Sequence, residues 1–121
     1  MKCPYCKKEI GNLKTIKIKE LKIEVETEIH DKNKCLKDIE IPKGLRLLTM
    51  NEITWLHNSK YKEQLNLNDT WEFIEQPFKQ NKDKGDVARF YAGSDWANLN
   101  CGTNPSNSYG ALGVRFCRSL K

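Results

Sequence analysis

Two stretches of this chain carry residues whose types and spacing could do chemistry. The first is the string CPYC at Cys3 to Cys6, where two thiols stand three positions apart. Such a pair can share a metal ion or cycle between dithiol and disulfide. Zinc takes four ligands, and no second C-x-x-C follows, so the head is half a site. His30 and Cys35 could complete a Cys3His set, or two protomers could share one ion through their two heads; the plain alternative is a pair of unliganded thiols. The second stretch runs from Ala88 to Phe116 and contains no Lys, Glu or Gln. All ten Glu lie at or before Glu75, and sixteen of the seventeen Lys at or before Lys84, so the change in composition is abrupt. Tyr and Trp there offer large contact area for few rotatable bonds, while Ser, Gly and Asn supply adaptable hydrogen bonding, a palette suited to non-covalent recognition. The bland alternative is an Asn- and Gly-rich surface loop with incidental aromatics.

The elements that must position these residues read as α+β, with strands at both ends and helices between. In TIKIKELKIEVETEIH, Ile16 and Ile18 alternate with lysines, and Leu21, Ile23 and Val25 alternate with Lys22, Glu24 and Glu26. The phase slips at Glu20-Leu21, which predicts a bulge or two short strands. Ile39-Glu40-Ile41 is expected to return as a short strand stopped by Pro42-Lys43-Gly44. Thr49 and Glu52 have the spacing of a capping box at the start of a helix, with Ile53, Leu56 and Trp55 as candidates for its inward stripe. Ser59 should cap a second short helix ending near Leu65. Trp71, Phe73 and Ile74 form an aromatic, partly buried segment, and QNKDKGD a solvated loop. In FYAGSDWANLNCG, Phe90, Ala92 and Ser94 share a face by period two, and Ala97, Leu99 and Cys101 continue it once one extra residue is absorbed at Asp95-Trp96 by a bulge or tight turn. The opposite face has no packing logic. CPYC is also the string of glutaredoxin active sites, but there it follows a strand and opens a helix of a thioredoxin-like fold, which this chain does not offer.

The segments IPKGLRLLTMNEITWL, DTWEFIEQPF and VARF.A.S..A.L.C..NPS.S...LGVRF together resemble the variable proteins of diversity-generating retroelements, particularly small archaeal-type members. The resemblance covers roughly residues 39–118, and its most specific part is LGVRF with the spaced array before it. It implies a C-type lectin fold of the formylglycine-generating-enzyme-like group, with a mixed or antiparallel sheet, one or two helices and a long, loop-rich C-terminal segment. It also implies a hypervariable surface whose codons are diversified by adenine-directed miscopying. Asn codons of the AAY type can then become Asp, Tyr, Gly, Thr, Ser or Ala, but not Lys, Glu, Gln, Met or Trp. The resemblance makes Tyr91, Gly93, Asp95, Asn98, Asn100, Gly102, Thr103, Asn107, Tyr109, Gly110 and Ala111 the diversified positions, all within the reachable set. Trp96 joins them as a contact residue but needs a different template codon. Phe90, Ala92, Ser94, Ala97, Leu99, Cys101, Pro105, Leu112, Gly113, Val114 and Phe116 become scaffold, and a last strand from Leu112 to Leu120 should lie in the sheet near the N-terminal strand.

The relatives of that fold that act as calcium lectins carry EPN or QPD and a WND-like element, and neither NPS nor DWAN matches. Cys101 and Cys117 do not reproduce the copper-binding pair of the formylglycine-generating enzymes, so no catalysis and no required cofactor is expected, zinc at Cys3 and Cys6 being the candidate metal. Length fits one domain behind a Cys-bearing head over 1–13; the resemblance implies that residues 14–121 are a C-type lectin-like domain with the variable region at about 88–116. The +5 formal charge is spread as alternating Lys and Glu, the pattern of a solvated face. The alternative function is a small basic zinc protein binding nucleic acid, which would require strongly salt-dependent association. A protein ligand is expected over a small molecule, because the array should be broad and shallow. No apolar h-region follows Met1, and no apolar run approaches the ~20 residues of a membrane span, so the expected compartment is the cytoplasm, with reduced thiols.

Overall fold

The computed structural model describes residues 14–94, 96–106 and 110–120. It is an α+β domain with two four-stranded sheets and two helices among those residues. The phase slip near Glu20 is a hairpin turn. β1 (Thr15–Ile18) pairs antiparallel with β2 (Ile23–Glu26), and Lys22 takes φ +55° in the turn between them. Ile18, Ile23 and Val25 are thereby all buried, while Lys17 and Glu24 stand opposite one another.

Arg46 and Leu47 form β3, which leads directly into helix α1 (Met50–His57). The capping box closes as expected: Thr49 Oγ1 accepts from the Glu52 N–H at 3.2 Å, and Glu52 Oε1 accepts from the Thr49 N–H at 2.9 Å. Arg46 then holds both Glu52 oxygens, at 2.8 and 2.9 Å, tying strand to helix. Ile53 and Leu56 point inward, whereas Trp55 lies on the outer side at 38% exposure. Ser59 ends the helix by donating to the Leu56 carbonyl and accepting from the Tyr61 N–H. The helix expected from Ser59 to about Leu65 does not form. Consecutive turns run to Asn68, with Asn66 at φ +57°, and they bury Leu65 and Leu67.

β4 (Thr70–Ile74), helix α2 (Lys79–Asp83), β5 (Val87–Ala92) and β6 (Ala97–Thr103) follow. The solvated QNKDKGD loop thus contains one short helix, stopped by Gly85 at φ +86°. The expected strand at Ile39–Ile41 is absent: Leu36–Asp38 is a 3-10 turn, and the Ile39 N–H bonds back to the Leu36 carbonyl. Arg46 and Leu47 take the sheet position beside the last strand instead.

The C-terminal segment is split between the two sheets. β7 (Leu112–Gly113) runs parallel to β4, giving the order β6-β5-β4-β7. β8 (Phe116–Ser119) lies antiparallel between β2 and β3, giving β1-β2-β8-β3. Val114 exchanges two backbone bonds of 2.9 Å with His30 on the way. Because both sheets cover this crossover, Leu112 to Cys117 are buried without alternation, where a single continuous strand would have alternated. Phe90, Ala92, Ile53, Leu56, Ile18 and Val25 share one core cluster; Leu112, Val114, Phe116, Phe73 and Leu47 form the other. Each large aliphatic or aromatic side chain buried this way contributes about 1.5–3 kcal/mol.

His30 sits against this crossover. Its Nε2 lies 2.6 Å from Glu26, its Nδ1 lies 2.9 Å from Asp31, and its ring meets Phe116 edge-on. Burial opposes the charged imidazole, but the Glu26 and Asp31 carboxylates outweigh it and raise the His30 pKa above its ordinary value. Burial likewise opposes the Asp31 carboxylate, and His30 and Lys34 overcome it and lower that pKa. A raised His contributes stability that is complete below its unfolded pKa and lost as pH rises through the folded one; a depressed Asp contributes stability lost on acidification through its folded value. The cluster is therefore strongest between about pH 4 and 6.5. Urea unfolding of His30→Gln against the parent should show a stability gap that narrows from pH 5.5 to pH 8.5; a gap independent of pH would mean that His30 acts by packing alone.

Candidate functional site

β5 and β6 form a hairpin whose two faces differ in kind. On one side Ala88, Phe90 and Ala92 are buried in the core, with Leu99 and Cys101 partly buried beside them. Ala97, opposite Ala92 at the turn end of the hairpin, is exposed, so the expected inner face stops short there. The extra residue near Asp95-Trp96 is absorbed by a tight turn: the Gly93 N–H donates to the Trp96 carbonyl at 2.8 Å, and Ala92 pairs with Ala97.

The other side gathers Arg89, Tyr91, Asn98 and Asn100, with Arg89 opposite Asn100 and Tyr91 opposite both Asn98 and Trp71 of β4. Trp71 and Tyr91 meet at 65° with centroids 5.1 Å apart, and Tyr91 and Trp96 at 44° and 4.9 Å. The Arg89 guanidinium stands 5.3 Å from the Trp71 centroid, within cation–π range. Tyr91 donates its hydroxyl to Asp69 at 2.8 Å, and that bond raises the phenol pKa. Together these groups line a cleft of about 420 Å³. Three aromatic walls, one guanidinium and two amides can hold a ligand by stacking and hydrogen bonds.

The hairpin tip is fixed from behind. His57 is buried at the end of α1, and its Nε2 lies 2.8 Å from the Gly93 carbonyl. Lys62 bonds the Ser94 carbonyl from the following turns. Gly93 itself is buried beneath Trp96. A Cβ there would stand 3.0 Å from the Trp96 carbonyl oxygen and 3.1 Å from its indole nitrogen, so a side chain at 93 would have to move Trp96.

Of the residues expected at the contact surface, Tyr91, Trp96, Asn98 and Asn100 come together at the cleft, and Trp96 is 55% exposed. Gly102, Gly110 and Ala111 are exposed, but Ala111 lines a separate hollow beyond Asp69. Thr103 is buried, its hydroxyl 3.3 Å from the Asn100 side-chain oxygen. Asp95, Asn107 and Tyr109 lie outside the described residues. Asp69, Trp71 and Arg89 were not expected in the site. Reading Thr70–Ile74 as a strand beside β5 would have brought Trp71 onto the face of Tyr91, but the pairing of distant strands is not written in local alternation.

Cys3 and Cys6 also lie outside the described residues. His30 is occupied by two carboxylates, and Cys35 donates to Asp38 at 2.9 Å, which raises its thiol pKa. No cluster of three His, Cys, Asp or Glu side chains able to hold a metal forms among the described residues. Burial raises the Cys101 thiol pKa and pushes that of Cys117 up to about 12, so both stay protonated near neutrality. No described helix is long and apolar enough to cross a membrane.

An α+β domain of two linked sheets, one carrying an aromatic-walled cleft, is the class that this geometry defines. No family model, curated protein or solved structure matches the chain.

Proposed function

We propose that this chain is a non-enzymatic binding protein that displays a hypervariable recognition surface on a C-type lectin-like scaffold, diversified by adenine-directed mutagenesis from a retroelement. The observation that carries the reading is the division of the β5–β6 hairpin. Three of the positions proposed to vary, Tyr91, Asn98 and Asn100, share the open face, while Phe90 and Ala92, proposed as scaffold, fill the core behind them. A surface can vary freely only where its side chains hold no core packing. Tyr91, Asn98 and Asn100 meet that condition by the strand period, whereas the buried Gly93 and Thr103 do not and are left out of the proposed variable surface. Tyr91 and Trp96 act as aromatic anchors and the asparagines as adaptable polar contacts.

The decisive test is the DNA. The codons for residues 88–113 and the flanking locus should contain a near-repeat that differs only at adenines, beside a reverse-transcriptase frame; an intact locus without a repeat would remove the diversification reading. The scaffold is tested separately. The double variant Tyr91→Ala/Trp96→Ala should remain folded, with a loss of about 1–2 kcal/mol in urea unfolding from the missing ring contacts. Global unfolding of that variant would make the two rings core residues and end the display reading.

A further inference from the structure

Sheets expose unpaired backbone at their edges, and the four edges formed by the described residues are not alike. β3 and β7 are two residues long, and β1 is flanked and interrupted by Lys14, Lys17 and Lys19, the side chains that discourage a further strand from pairing. β6 is different. It spans seven residues, or about 23 Å of extended chain, and carries no charged side chain and no proline.

The register says which backbone groups point outward. Residues directly opposite in an antiparallel pair alternate between exchanging both backbone bonds and exchanging none. The Gly93 to Trp96 bond sets the phase, so Tyr91 with Asn98 and Arg89 with Asn100 bond within the hairpin. Ala97 and Leu99 therefore turn their N–H and C=O groups away from β5, and β6 is the outermost strand of its sheet among the described residues. Beyond Leu99 the ladder is closed off: Gln76 Nε2 donates to the Cys101 carbonyl at 2.7 Å, and the Asn100 side chain accepts from the Gly102 N–H at 2.9 Å. The open rungs are thus confined to the part of β6 that borders the cleft.

We propose that this edge receives an extended segment of a partner protein as an added strand, paired to the backbone of Ala97 and Leu99. Alternate side chains of the added strand fall on the face of Tyr91, Trp96, Asn98 and Asn100 and enter the cleft; the others lie on the opposite face. Backbone pairing is indifferent to which side chain occupies 98 or 100, so it supplies a constant share of affinity while the side chains select the sequence. The inference deepens the binding reading above and rests on it in taking the ligand to be a protein.

The test selects random twelve-residue peptides displayed on phage against the immobilised full-length chain, and then remakes the selected peptides by synthesis. N-methylation at alternate peptide residues should weaken binding at least tenfold in one phase and leave it unchanged in the other. Ala97→Pro, which removes one outward donor and none that bonds to β5, should do the same, with the fold checked by urea unfolding. Should Ala97→Pro disturb the fold, the N-methyl series on the unaltered protein still decides. Peptides that lose binding on Tyr91→Ala/Trp96→Ala but tolerate every N-methyl group and Ala97→Pro would overturn the added strand and leave the cleft as the binding site. Failure to select any peptide would overturn it too, without touching the adenine-repeat test of diversification. A concentration-dependent dimer abolished by Ala97→Pro would overturn it in favour of a second copy of this chain.

Discussion

Replacing Glu72 with leucine should lower the unfolding free energy by about 3–5 kcal/mol, the usual cost of stranding one member of a buried ion pair. Glu72 on β4 and Arg115 in the crossover are 1% and 0% exposed, with Nε and Oε1 3.3 Å apart. Among the described residues Arg115 otherwise bonds to the carbonyls of Glu26 and Thr27, at 3.3 and 3.4 Å. Without the carboxylate, a guanidinium that cannot lose its proton would remain in the interior. Burial raises the Glu72 pKa, and Arg115 only partly opposes it. A raised carboxyl binds its proton more tightly in the folded chain, so its contribution to stability falls as pH rises from the unfolded to the folded value, opposite in sign to Asp31. The double variant Glu72→Leu/Arg115→Met should recover most of the loss, because a well-packed apolar pair is often no worse than the ions. Urea unfolding of the two single variants and the double one gives the coupling directly. A loss below about 1 kcal/mol for Glu72→Leu would mean that Arg115 finds water or another partner, and that the crossover does not depend on this pair.

Gly113→Ala should be nearly as damaging, at the upper end of the roughly 1–3 kcal/mol that overpacking costs. A Cβ at Gly113 would stand 2.5 Å from the His30 carbonyl oxygen and 2.5 Å from Ile29 Cγ2. The neighbouring bonds between His30 and Val114 hold the two backbones together, so neither can withdraw cheaply. The constraint is steric. At Gly44 and Gly85, by contrast, nothing lies within 4 Å, and the positive φ values of +89° and +86° are what favour glycine. Gly102→Ala is the matched control: its nearest neighbour is Asn81 Nδ2 at 3.9 Å, so stability should stay within about 0.5 kcal/mol of the parent. The contrast also bears on function, because Gly102 belongs to the positions proposed to vary and Gly113 to those proposed as scaffold. Equal effects at 102 and 113 would contradict that division.

Local chemistry is legible in the sequence wherever it depends on neighbours along the chain. The Thr49–Glu52 capping box needs only a three-residue spacing, and it forms as read. The alternation of Phe90 and Ala92 against Tyr91 follows from the two-residue period of any strand, so alternation alone marks the open face of β5–β6. The slip at Glu20 is legible as a break in phase, because a turn must interrupt alternation. What the sequence does not carry is which strand lies beside which. The Ile39–Ile41 triplet has strand chemistry, yet Arg46 and Leu47 take the place beside β8, since pairing depends on where the chain returns rather than on local preference. His57 has the position of a helix-end surface residue, and only the arrival of Gly93 from another element buries it. Leu112 to Cys117 has the pattern of one alternating strand, but two sheets enclose the segment, and burial on every side erases the period. The cleft depends on the same cause: Trp71 and Arg89 are separated by seventeen intervening residues, and antiparallel pairing of β4 with β5 is what brings them together.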